Sequence, residues 1–177
     1  MKRIESFKKH KKSRIFNISL VILVLLIALF FIRLASPRHL DDVHPSIQCD
    51  GELLQKADIF YVIPIFENVR ISDNPEWCTK MLSYNKALAL HGVYHTYNEF
   101  KEDRNEAYLQ EGADEFKKCF GFYPTRFKAP QTTLSAKNKD LIVLMGYKVD
   151  TLFGDTFHKV YHCSDLGYAH NWVSDLI

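Results

Sequence analysis

The apolar positions of this chain form one long unbroken run, then a series of short blocks separated by polar turns. Residues 15–34 are apolar except for Asn17, Ser19 and Arg33, which is about the 20 residues a helix needs to cross a bilayer core. After the short link Ala35-Ser36-Pro37 the pattern changes. Leu40 to Asp42 reads as a strand end, and Glu52 to Ala57 as one or two helical turns. Ile59 to Ile65 is rich in β-branched and aromatic residues, as buried strands are, and Pro64 marks its end because proline cannot donate in a ladder. Ser72-Asp73-Asn74-Pro75 predicts a helix start running to Tyr84. Lys86 to Tyr94 returns to strand. Ala107, Tyr108, Ala113, Phe116 and Phe120 recur near helical spacing, with Gly121 where a left-handed closing residue is wanted. Pro124 to Ala129 predicts a strand, Leu134 to Met145 a helix closed by Gly146, Tyr147 to Phe153 a strand, and Val160 to Tyr168 one or two weaker ones. Strands alternating with helices predict an α/β fold with a mainly parallel sheet.

Charge adds an orientation. Lys2, Arg3, Lys8, Lys9, Lys11, Lys12 and Arg14 precede the apolar run, with Glu5 the only acid among them. Basic residues beside a span hold that flank in the cytoplasm. The expected organisation is a basic cytoplasmic tail (1–14), a transmembrane signal-anchor (15–34) and an extracytoplasmic domain (35–177). A cleaved signal peptide competes with this reading, but cutting after Ala35 would put Arg33 at a position that wants a small residue. A buried helix of a soluble protein is the third reading. The net charge of +2 comes from the tail; beside a membrane span the tail is a topology signal that also attracts anionic lipid, so nucleic acid is not an expected partner. Four cysteines (Cys49, Cys78, Cys119, Cys163) lie beyond the span, none in a C-x-x-C pair. One or two disulfides and separate buried thiols both remain open.

The chemistry collects at the predicted strand ends, where parallel α/β folds place their active sites. His91 and His95 stand four residues apart after Leu88-Ala89-Leu90, and Asp41-Asp42 follows another short strand. Two imidazoles and a carboxylate suit zinc or a similar ion with one position left open. The second carboxylate is then free to accept a proton from water. Lys128 and Asp150 fall at two further strand ends. Each group also has an ordinary explanation: an Asp pair caps turns, and histidines are common on surfaces and loops.

The motifs "LDDVHP", "FYVIP", "LALHGVYH" and "FKAP", in that order, resemble the polysaccharide deacetylase family (carbohydrate esterase family 4 type) in a divergent form, from about Arg38 to the C-terminus. The resemblance implies a distorted (β/α) barrel, preceded here by the N-terminal transmembrane helix. Residues 35–177 are few for such a barrel, which leaves both a complete and an incomplete one open. It implies Asp41 as general base, and Asp42, His91 and His95 as ligands of a divalent metal, Zn2+. The family's Arg-x-Pro appears here as Lys128-Ala129-Pro130, which keeps the charge and loses the two-pronged donor. Arg126, two residues earlier, shares the strand face of Lys128. His170 would be the general acid, steered by Asp150, with His158 and His162 as rivals. Pro130 and Trp172 would meet substrate. The implied activity is removal of acetyl groups from N-acetylated sugars of a polysaccharide or glycan. The alternative is a deacetylase-like domain at the membrane surface that binds carbohydrate or a protein without turning it over.

Overall fold

The computed structural model describes residues 2–151 and 159–164, with side chains from residue 16 onward. The chain divides into two units, Met1–Ser36 and Pro37–Ile177. The first is a single helix, α1 (Lys2–Ala35). Within it Phe16–Ala35 has a mean hydropathy of 3.0 and no buried share. That stretch is long and apolar enough to cross a membrane, and it is apolar all round, as a helix in lipid must be.

The second unit alternates strands and helices. In chain order these are β1 (Arg38–Val43), α2 (Gly51–Lys56), β2 (Ile59–Val62), β3 (Ile65–Phe66), β4 (Val69–Arg70), α3 (Pro75–Ser83) and β5 (Ala87–His91). There follow α4 (Glu106–Phe120), β6 (Arg126–Lys128), α5 (Ala136–Leu144), β7 (Lys148–Asp150) and β8 (Lys159–His162). Side chains close the helix starts: Asp50 accepts from Glu52 N and Asn105 from Tyr108 N. Gly121 and Gly146 end α4 and follow α5 with φ of 83° and 90°, the left-handed geometry that costs glycine nothing.

Six strands form one parallel sheet in the order β7-β6-β5-β2-β1-β8, and β3 and β4 make a separate antiparallel hairpin. The last strand pairs with the first, as in a barrel. Among the described residues β7 and β8 are not joined, so the sheet is a curled half-barrel, open between them. This curled parallel sheet flanked by helices is the distorted (β/α) type that the sequence resemblance implied. Three details differ. Ile65 opens the β3–β4 hairpin instead of ending β2, β7 stops at Asp150, and one strand, β8, occupies the start of the 160–168 stretch. Residues 152, 153 and 165–168 lie outside the described residues.

Strand alternation divides the sheet into two environments. Leu40, Phe60, Val62, Leu90 and Phe127 belong to the main core, with Leu109, Phe116 and Phe120 of α4 and Met81 of α3. Ile59, Tyr61 and Ala89 form a separate small cluster. On the same parity as these three stand His39, Asp41, His91, Arg126, Lys128, Asp150 and His162, so the concave face becomes polar toward the strand ends. The cysteine question is settled by proximity: Cys78–Cys119 links α3 to α4, and Cys49–Cys163 links the segment after β1 to the end of β8.

Candidate active site

Two adjacent aspartates on a regular strand point to opposite faces. Here β1 breaks that rule. Leu40 pairs with Phe60 but Val43 with Val62, so one extra residue is accommodated between them. Asp42 takes a left-handed φ of 61°, which aspartate tolerates better than most residues. This bulge brings both carboxylates to the wall of one cleft of about 460 Å³, which also contains His91, His95, Lys128, Gln131, Thr132 and His162. Bulges of this kind re-aim side chains beside active sites.

Asp42 is the hub. Its Oδ1 lies 3.3 Å from His91 Nε2 and 2.9 Å from His95 Nε2, and its Oδ2 lies 3.0 Å from His162 Nδ1. Burial raises the Asp42 pKa, but hydrogen bonds from His162, His91 and His95 outweigh it and hold the carboxyl far below the usual range. His91 Nδ1 is 3.2 Å from the Lys128 carbonyl oxygen. A carbonyl only accepts, so Nδ1 carries a hydrogen toward it, and Nε2 is the ring nitrogen turned to Asp42. One ligand atom from each of Asp42, His91 and His95 lies within 4.8 Å of the others. Donors bound tetrahedrally at zinc distances sit about 3.3 Å apart, so these residues fit a divalent ion.

Asp41 lies beside this group. Its Oδ2 is 2.7 Å from Lys128 Nζ, and both side chains are almost without solvent. Its Oδ1 is buried and has no hydrogen-bond partner among the described residues. Lys128 also lies 5.1 Å from the Tyr61 ring centroid. Arg126 shares the face of Lys128 but turns to Asp150, donating from Nε and Nη2 at 3.0 and 2.8 Å. Tyr61 O–H donates to the same carboxylate at 2.6 Å. Burial, then that bond, pushes the Tyr61 pKa up, so the phenol stays protonated. Asp150 is therefore committed to Arg126 and Tyr61, one layer from Asp41.

Pro130 is buried, and the cleft wall beside it is Ala129, Gln131 and Thr132. His170, Trp172 and His158 lie outside the described residues. His162, a rival in the sequence reading, stands in the cleft wall at the end of β8. Tyr61 and Glu99 are functional neighbours to which the motifs give no role. Tyr61 had a signal in its parity with Ile59 on a strand. Glu99 had none, because it sits in a polar loop.

No family model matches the sequence, and no curated protein matches it. Solved structures do share the fold. The Xyl-CE4 domain of a multidomain xylanase from the hindgut metagenome of Trinervitermes trinervoides aligns with TM-score 0.52 and 13% identity, over 73% of this chain and 74% of that one. A CE4 family pseudoenzyme from Bacillus anthracis aligns with TM-score 0.52 and 10% identity, over 74% and 56%. A polysaccharide deacetylase from Bacillus cereus aligns with TM-score 0.49 and 16% identity, and the alignment covers 64% of this chain but 58% of that protein. The resemblance carried by the four sequence motifs thus has its counterpart in three dimensions: the chain has the fold of the carbohydrate esterase family 4 polysaccharide deacetylases, in a divergent form.

Proposed function

We propose that this chain is a metal-dependent hydrolase that removes acetyl groups from N-acetylated sugars of a glycan. Residues 15–34 anchor it in a membrane, residues 1–14 face the cytoplasm, and the domain from 35 onward faces outward. The observation that carries the reading is Asp42 Oδ1 within 3.3 and 2.9 Å of two imidazole nitrogens, beside a second buried carboxylate with one oxygen unpartnered among the described residues. Asp42, His91 and His95 would hold the ion, Zn2+ by its preference for imidazole and carboxylate. When bound, it supplies Lewis acidity toward the acetamide carbonyl and lowers the pKa of water at the site.

The protein's own groups then divide the work. Asp41 Oδ1 takes the proton of the attacking water. Lys128 fixes the orientation of Asp41 through Oδ2, 2.7 Å from its Nζ. His162, with Nδ1 3.0 Å from Asp42 Oδ2, would as imidazolium give a proton from Nε2 to the departing amine, the role the sequence resemblance gave to His170. The products are a free amino sugar and acetate. Metal analysis of the purified chain beside the His91→Ala/His95→Ala variant, followed by acetate release from N-acetylglucosamine oligomers, tests the proposal. About one ion per chain with turnover supports it; folded protein that takes up no zinc overturns it.

A second reading rests on Lys128. A point charge in place of a forked guanidinium orients Asp41 through one oxygen only, which favours glycan binding without turnover. A structural neighbour described as a pseudoenzyme makes that outcome concrete. Metal and glycan binding with no acetate release would establish it.

A further inference from the structure

We infer that Glu99 is the positioning residue that sets the geometry of the His91–His95 loop, and with it the affinity of the metal site; the inference rests on the metal-site reading above. Glu99 is fully buried. Its Oε1 accepts from Val93 N (3.0 Å), Tyr94 N (2.9 Å) and the Tyr108 hydroxyl (2.6 Å), and its Oε2 accepts from His95 N (3.1 Å). Three successive backbone N–H groups converge on one carboxylate, a nest of the kind that holds anions.

The loop requires such a template. Residues four apart on an extended strand lie about 13 Å apart, yet the His91 and His95 ring centroids are 5.0 Å apart. The chain must therefore reverse directly after β5. Gly92 and His95 both take left-handed backbone, at φ of 66° and 57°, and the N–H groups between them have left the sheet ladder. Glu99 is the acceptor that replaces it. The packing is tight: a Cβ at position 92 would collide with Glu99 Oε2 and Pro130. The far side is fixed as well. Arg104 Nε donates to the Glu99 backbone carbonyl at 2.8 Å, and its guanidinium lies 4.8 Å from the Tyr108 ring centroid.

His95 Nε2 meets Asp42 only because its own backbone N–H is pinned to Glu99. A carboxylate suits this place because it is acceptor on both oxygens. An amide of the same size presents an NH2 to one set of N–H donors, whichever way it is turned.

The test uses the full chain in detergent, with Zn2+ affinity by chelator competition, the Co2+ ligand-field spectrum, and thermal unfolding without metal. Glu99→Gln is expected to weaken Zn2+ binding about 10–100-fold, the usual effect of losing a group that orients a ligand, and to shift the Co2+ bands. Tyr108→Phe, which removes one of the four donors, is expected to weaken it about 5-fold. A folded Glu99→Gln protein with wild-type Zn2+ affinity and Co2+ spectrum overturns the inference, even if its unfolding temperature drops. If Glu99→Gln does not fold, wild-type affinity in Tyr108→Phe overturns it. Wild-type protein that binds no Zn2+ overturns the metal-site reading and this inference with it.

Discussion

Lys128 and Asp41 form a buried ion pair, Nζ to Oδ2 at 2.7 Å, although β5 and β2 lie between their strands in the sheet. In a flat sheet those two strands would run about 14 Å apart. The pair closes because the sheet curls, and it places a fixed positive charge next to the carboxylate proposed as the base.

Removing one partner of such a pair leaves an uncompensated charge. Lys128→Met is expected to destabilise the domain by about 3–5 kcal/mol, read by denaturant unfolding. Adding Asp41→Asn should recover much of that loss; additive losses in the double variant would show that the pair is not coupled. Lys128→Arg is expected to keep or raise turnover, and a complete loss would give the lysine a role of its own.

Asp41→Asn alone should retain metal and lose turnover by 100-fold or more, because an amide cannot take the proton; general-base steps contribute about 10²–10⁴-fold. Metal content and acetate release are measured on the same preparation. Unchanged turnover moves the base elsewhere.

His91→Ala/His95→Ala is expected to abolish stoichiometric Zn2+ while the two disulfides keep the fold. Retained metal would remove Asp42, His91 and His95 from their proposed role.

The Cys49–Cys163 bridge spans 114 residues, and Cys163 N also donates to the Asp41 carbonyl at 3.1 Å. Replacing both cysteines by serine is expected to cost about 5 kcal/mol through loop closure. Because His162 directly precedes Cys163, turnover should fall further than metal affinity. Equal losses of both would separate His162 from catalysis.

His44 is buried, with Ser46 N donating to its Nδ1 at 3.0 Å and the Val69 carbonyl 3.3 Å from its Nε2. Burial lowers its pKa to about 4, the Val69 bond opposing only in part. A second proton would set Nδ1–H against the Ser46 N–H. The unfolded chain binds that proton near pH 6.5 and the folded one does not, so stability falls as pH drops from about 6.5 to 4, by about 3 kcal/mol at most. Metal-free wild type should show this slope and His44→Gln should lack it; identical slopes would assign the acid sensitivity to other groups.

Much of the architecture is written in local patterns. The apolar run of residues 15–34, the alternation of strand and helix, and the glycines closing α4 and following α5 follow from spacing and backbone sterics, which depend only on near neighbours. The residue types of the cleft are equally visible: Asp41-Asp42, His91 and His95 stand out at strand ends. Their meeting is not visible. The β1 bulge that brings both aspartates to one cleft wall, the preference of Arg126 for Asp150 over Asp41, the two cysteine pairings and the burial of Glu99 each depend on groups between 4 and 114 residues apart. The sequence by itself determined an α/β chain with an apolar span and a set of side chains of the types that ligate metals. Only the tertiary structure decided which of them touch, because strand register and sheet curl, set by the packing of the whole core, bring distant strands within reach of one another.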